Sequence, residues 1–83
     1  SDFIRSIKGV EVGLIIYEMD LNSCRINFRS KGRFTVNNIA KFFGGGGHAF
    51  AAGAMIKKPL DEAKTMIIDN TKNMILDQIR VNK

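Results

Sequence analysis

A single cysteine, Cys24, stands in the chain. No disulfide can form within it, and no cysteine-rich zinc cluster can be assembled; this fits a reducing cytosol, and we expect a cytoplasmic protein. No apolar run reaches the roughly 20 residues of a membrane span, and no secretory signal pattern is present. Acidic residues are absent from the whole stretch between Leu21 and Leu60. Metal-dependent phosphate chemistry draws several carboxylates or histidines onto an ion, and that half of the chain cannot supply them. The one histidine, His48, has no carboxylate near it in sequence. Neither Ser23 nor Ser30 sits in a recognisable nucleophile motif. Self-contained catalysis is therefore not expected. Repeats and internal linkers are also lacking, so 83 residues make one small domain. The start at Ser1-Asp2, without methionine, suggests a fragment of a longer chain or a processed one.

What the acid-free stretch does hold is basic: Arg25, Arg29, Lys31, Arg33, Lys41, Lys57 and Lys58. The rest of the chain carries six bases against eight acids. The positive field is thus gathered in one half, as on a surface that meets phosphates. The same half contains the run Gly44-Gly45-Gly46-Gly47-His48-Ala49-Phe50-Ala51-Ala52-Gly53. Four consecutive glycines weaken an ordered segment by roughly 0.5–1 kcal/mol apiece relative to alanine, so such a run is either disordered or held for a purpose. Phe42 and Phe43 precede it and Ala54, Met55 and Ile56 follow, which argues for order. Backbone without Cβ atoms lets a ligand lie against peptide N–H groups, with the imidazole of His48 as a further donor. We read it as a phosphate- or nucleotide-binding loop. It is neither the phosphate loop of nucleotide hydrolases nor the dinucleotide fingerprint, since it lacks the residues that complete either.

The pattern of side chains predicts a small α/β domain with a mixed sheet built on an N-terminal β-hairpin. Phe3, Ile4 and Ile7 have helical spacing ahead of Gly9, so the chain is expected to open on the end of a helix. Val10–Glu18 alternates Val10, Val12, Leu14 and Ile16 onto one face and reads as a strand. Asp20-Leu21-Asn22-Ser23 supplies turn residues. Cys24–Arg29 alternates again, with Arg25, Asn27 and Arg29 on the polar face, and should pair with the first strand. Thr35 is placed to cap a short helix with Val36, Ile39, Ala40 and Phe43 on its apolar stripe and Gly44 as its stop. After the glycines, Ala49–Ala52 could make one helical turn and Gly53–Lys57 a third strand. Pro59 fits the first position of a long last helix, with Asp61 and Glu62 at its start and Arg80 and Lys83 near its end complementing the dipole. Leu60, Ala63, Ile67, Met74, Ile75 and Ile79 mark its buried side, and Met66 and Ile68 widen the apolar face.

Each candidate residue has a plainer alternative. His48 could merely satisfy a backbone group; its position directly after four glycines favours a phosphate contact. Arg29-Ser30 at a strand end suits bidentate phosphate binding with a hydroxyl beside it, against an ordinary exposed strand end. Arg25, Lys31, Arg33 and Lys41 are treated as electrostatic background, and Phe28, Phe34, Phe42 and Phe43 as core. Phe50, inside the motif, is open between core and base stacking.

The run Gly44–Gly53 resembles the Gly-Gly-Gly-His-x-x-Ala-(Ala/Ser)-Gly signature of the DHH-associated domain, the C-terminal substrate-binding part of the DHH phosphoesterase superfamily. Phe28-Arg29-Ser30 resembles that domain's Arg-Ser step, and the match runs from about Val10 to the end. The resemblance implies a two-domain enzyme: residues 1–9 would end a linker helix from an N-terminal DHH domain that holds two manganese ions and cuts, and residues 10–83 would grip the nucleotide. No cofactor is expected in this chain. Arg29 and Ser30 would contact the nucleotide or its phosphates, Gly45, Gly46 and Gly47 would allow close backbone approach, and His48 would engage a phosphate near the scissile bond; Lys31, Arg33 and Phe50 are supporting candidates. Expected partners are short RNA or a nucleotide and the parent's catalytic domain, with homodimerisation of the parent left open. The chain looks most similar to short-oligonucleotide ribonucleases that also dephosphorylate 3′-phosphoadenosine 5′-phosphate. Cyclic dinucleotide phosphodiesterases, RecJ-like exonucleases and exopolyphosphatase-like proteins remain alternatives, as does a free-standing single-stranded nucleic-acid-binding domain.

Overall fold

The computed structural model describes residues 2–9 and 11–81. Five strands form one sheet: β1 (Asp2–Ile7), β2 (Val12–Asp20), β3 (Ser23–Ser30), β4 (Gly46–His48) and β5 (Ala51–Ile56). Two helices, α1 (Asn37–Phe42) and α2 (Leu60–Val81), complete the order. The sheet runs β1-β2-β3-β5-β4. The expected small α/β architecture is what is observed, with one change in topology. Every pairing is antiparallel, where the sequence pattern predicts a mixed sheet. The reason lies in the tight β4–β5 hairpin. β5, returning, inserts between β3 and β4 and keeps those two from pairing in parallel.

Alternation along β2 and β3 sends Val12, Leu14, Ile16, Cys24, Ile26 and Phe28 into the core, all nearly inaccessible. Ala54 and Ile56 of β5 join them. α1 contributes Ile39 and Ala40, and α2 contributes Ala63, Ile67 and Ile75, at intervals that bring one side of the helix onto the sheet. α2 meets β2 and β3, and α1 meets β4 and β5. Both helices add to the one core cluster, so the sheet's opposite face is left open. The stacked rings of Phe28 and Phe43, with centroids 6.3 Å apart, tie α1 to the sheet.

Several local expectations are corrected. Asp2–Ile7 is a strand, paired along its length with β2, not the end of a helix. Its helix-like spacing arises because Arg5 occupies a core-side position opposite Leu14, which breaks the alternation of Phe3 and Ile7. Thr35 does not cap α1, which has no side-chain cap. Instead its N–H donates to Gln78 Oε1 at 3.0 Å, and Gln78 Nε2 donates to its carbonyl at 2.8 Å. Ala49–Ala52 is not helical: Ala49 and Phe50 form the β4–β5 turn, and Ala51 and Ala52 begin β5. Pairing with β3 outweighs the helix preference of alanine there. Pro59 stands one place before α2, its carbonyl accepting the Ala63 N–H at 2.9 Å. Val10 and Lys83, named for the first strand and the helix end, lie outside the described residues.

The stop of α1 is as expected. Gly44, at φ +88°, follows the C-cap residue Phe43. Its N–H reaches Lys41 O at 2.9 Å, while the Gly45 N–H reaches back to Ala40 O at 2.8 Å. This pair of bonds is the Schellman closure, which needs a left-handed residue at that place.

Candidate functional site

The glycine run is a strand as well as a loop. Gly46, Gly47 and His48 pair with Gly53, Ala52 and Ala51 of β5. Glycine has little intrinsic strand preference, so this edge is held by its partner and not by its own side chains. The four glycines serve different ends. Gly44 supplies the positive φ just described. A Cβ on Gly45 would fall on the carbonyl oxygen of Gly53 and lie 2.7 Å from Ala54 Cα. One on Gly47, at φ +147°, would lie 2.7 Å from Ala52 Cα and 2.8 Å from Ala51 O. Both are glycine because the backbone of β5 passes too close for anything else. Gly46 differs: a Cβ there would meet nothing within 4 Å, and its φ is unexceptional. The fold makes no demand on Gly46, yet it borders a groove on the open face.

This groove of about 700 Å³ is lined by Arg25, Asn27 and Arg29 of β3, by Gly44–Gly47, and by Ala51–Met55 of β5. Directly opposed residues of antiparallel strands share a face, so register gives the arrangement in cross-sheet rows. Arg29 pairs with Ala51, and Ala51 with His48. Arginine and histidine therefore flank a methyl group in one row, two strand spacings or about 10 Å apart at the backbone. In the next row Asn27, Gly53 and Gly46 follow each other. The floor is thus almost bare backbone, with a polar amide on one side. Both Arg29 and His48 are exposed.

The residues singled out in sequence separate into two groups. Arg29, Gly45, Gly46 and Gly47 line the groove, and His48 shares the Arg29 row. Ser30 does not join them. It pairs with Val12 on the helix-covered side, its Oγ accepts the Gly32 N–H at 3.2 Å, and its own N–H bonds to Phe50 O at 2.9 Å. Ser30 is therefore a fastening between β3 and the hairpin turn. Lys31 and Ser30 border a neighbouring depression with Ser6 and Glu11, and Arg29 lines both this depression and the groove. The Arg33 guanidinium lies 5.1 Å from the ring centroid of Phe34, away from the groove lining. Phe50, 46% exposed, stands at the turn outside the core. Sequence reasoning misses two groove residues: Arg25, which reads as electrostatic background, and Asn27. Their alternation with Arg29 along β3 is the available signal.

Among the described residues no three of histidine, cysteine, aspartate and glutamate come together as metal ligands would. The groove's own chemistry is cationic side chains and backbone amides, which suits an anion and leaves no donor set for a metal ion. No described helix is long and apolar enough to cross a membrane.

Comparison with known families settles the kinship. The model of the DHHA1 domain matches residues 1–75. This chain belongs to the DHHA1 domain family. Among curated proteins, the bifunctional oligoribonuclease and PAP phosphatase NrnA of Bacillus subtilis (strain 168) is 38% identical over 64 residues. That alignment takes in 77% of the chain but only 20% of the relative, so the DHHA1 domain spans about a fifth of the protein it matches. The matched range includes β1 and the whole sheet.

Proposed function

We propose that this DHHA1 domain is the substrate-gripping module of a phosphoesterase, binding short RNA or a nucleoside 3′,5′-bisphosphate while a separate DHH domain, with manganese, performs hydrolysis. One observation carries the reading: Gly46, unconstrained by packing, lies in the floor of a groove lined by Arg29, with His48 on the same cross-strand row as Arg29. A glycine standing where the fold does not need one is explained by a ligand that lies against the backbone. Arg29 then supplies the paired N–H donors that match a phosphate's oxygens. His48 donates from the far end of the row. The small Ala51 between them, with Gly53 in the next row, leaves room for the phosphate to settle onto the sheet. The name of the Bacillus subtilis relative, an oligoribonuclease and PAP phosphatase, agrees with this substrate class. The described residues hold no ligand set for a metal, and the part of this domain is to bind, orient and neutralise charge.

The test is an amide-resolved NMR titration with a 5′-phosphorylated dinucleotide and, separately, a nucleoside 3′,5′-bisphosphate. Shifts are expected at Arg29, Asn27 and the amides of Gly44–His48, and they should be lost in Arg29→Ala and His48→Ala. Binding that is indifferent to both substitutions would refute the reading. Shifts spread over Lys31, Arg33 and Lys41 that vanish with added salt would indicate a non-specific nucleic-acid surface instead, since each released counterion steepens the salt dependence.

A further inference from the structure

The groove continues beyond the Arg29 row. Arg25 stands on the same face of β3, with Asn27 between, and both arginines line the same depression. Arg25 is opposed by Tyr17 of β2 on one side and by Met55 of β5 on the other. Met55 is 54% exposed and has no place in the hydrophobic core or against it. The two arginine rows therefore differ in chemistry. The Arg29 row is flanked by Gly13 and Ala51, so small that only a charged group has anything to bind. The Arg25 row adds an aromatic ring and a thioether, which suit the face of a nucleobase. A rise of about 3.3 Å per residue places the two arginine roots about 13 Å apart, and like charge keeps their heads separate when nothing lies between. A single phosphate seated between Arg29 and His48 leaves the Arg25 row open.

We infer that Arg25 and Met55, with Tyr17 behind the arginine stem, form a second nucleotide subsite that sets a preference for oligonucleotides of two or more residues. This rests on the groove being a nucleotide site. The terminal phosphate occupies the Arg29–His48 row. The neighbouring nucleotide places its phosphate on Arg25 and its base against Met55. Specificity for chain length then resides in the Arg25 row and affinity for the phosphate in the Arg29 row.

The experiment compares the affinity of the full chain for adenosine 5′-phosphate and for 5′-phosphorylated diadenylate. It is repeated in Arg25→Gln, Met55→Ala and, as an equal loss of charge outside the groove, Arg33→Gln. All three side chains are exposed, and a thermal melt of each variant checks that the fold is kept. The unaltered chain should prefer the dinucleotide by about tenfold, the scale of one base contact. Arg25→Gln should remove most of that preference while leaving mononucleotide affinity within about twofold, and Met55→Ala should remove about threefold of it. Arg33→Gln should affect both probes alike. Equal weakening of both probes by Arg25→Gln, or a dinucleotide-selective loss in Arg33→Gln, would overturn the subsite. So would a chain that binds the mononucleotide but gains nothing from the dinucleotide, and there the proposed function stands. Failure to bind either probe removes the underlying reading and this one with it.

Discussion

Along β3, successive residues alternate between two environments. Cys24, Ile26 and Phe28 are wholly buried beneath the helices, while Arg25 and Arg29 stand exposed on the other side of the same strand. β5 repeats the contrast, with Ala54 and Ile56 packed inward and Met55 turned outward. The described helices cover one face of the sheet, which puts the core and the open cationic groove on opposite sides of a single backbone. Substitutions on the two faces should therefore have effects of different kinds, and each of the following variants challenges that separation.

The largest effect is expected from Phe28→Ala. It empties the space between β2, β5 and Phe43 and should cost about 3–5 kcal/mol, most of the stability of a domain this small. Urea unfolding reads the loss directly. Cys24 provides a second readout, since its thiol is buried and burial pushes its pKa up; alkylation should be slow in the native chain and much faster in the variant. An unchanged unfolding midpoint would break the comparison. Gly45→Ala comes next, at about 2–3 kcal/mol, because the new methyl meets backbone and not a movable side chain. Thr71→Val should move the other way. The Thr71 hydroxyl is fully buried in α2 and has no hydrogen-bond partner, so an apolar residue of the same shape should add about 1 kcal/mol of stability. The smallest change in stability, and the sharpest test, belongs to Gly46→Ala. The methyl fits open space, so stability should rise by about 0.5 kcal/mol in thermal unfolding, while nucleotide affinity falls. Unimpaired binding in this variant would remove the functional reason for the glycine.

The core face is legible in sequence because alternation is a direct consequence of strand geometry, and β2 alternates from Val12 to Tyr17 and β3 from Cys24 to Arg29. The glycine stop of α1 is legible for a similar reason, since only one conformation closes a helix in that way. β1 is not legible: Arg5 stands where the alternation calls for an apolar residue, and an edge strand tolerates a charge there. Nor is β4, whose residues carry no preference of their own and are ordered by β5. On the open face Arg29, His48 and the glycines can be found from their motif. Arg25 escapes because charge taken alone does not reveal direction. Its alternation with Arg29 gives the face, and the register opposite Met55 places it in the groove. The place of Ser30 is likewise invisible, because a hydroxyl that accepts a neighbouring N–H and one that binds a phosphate look alike in sequence.

The clasp between Thr35 and Gln78 has a consequence for how the molecule comes into being. Thr35 waits for a partner 43 positions further along the chain. Its neighbour Val36 donates to Ala49 O at 2.7 Å and so ties down the β4–β5 turn. On the ribosome the glycine strand is made well before the helix that steadies it. A nascent chain halted before Gln78 would carry every groove residue in its sequence and still lack the clasp that steadies the finished groove. Completion of this part of the fold is thereby a late event of synthesis, reached only when the last long helix has emerged.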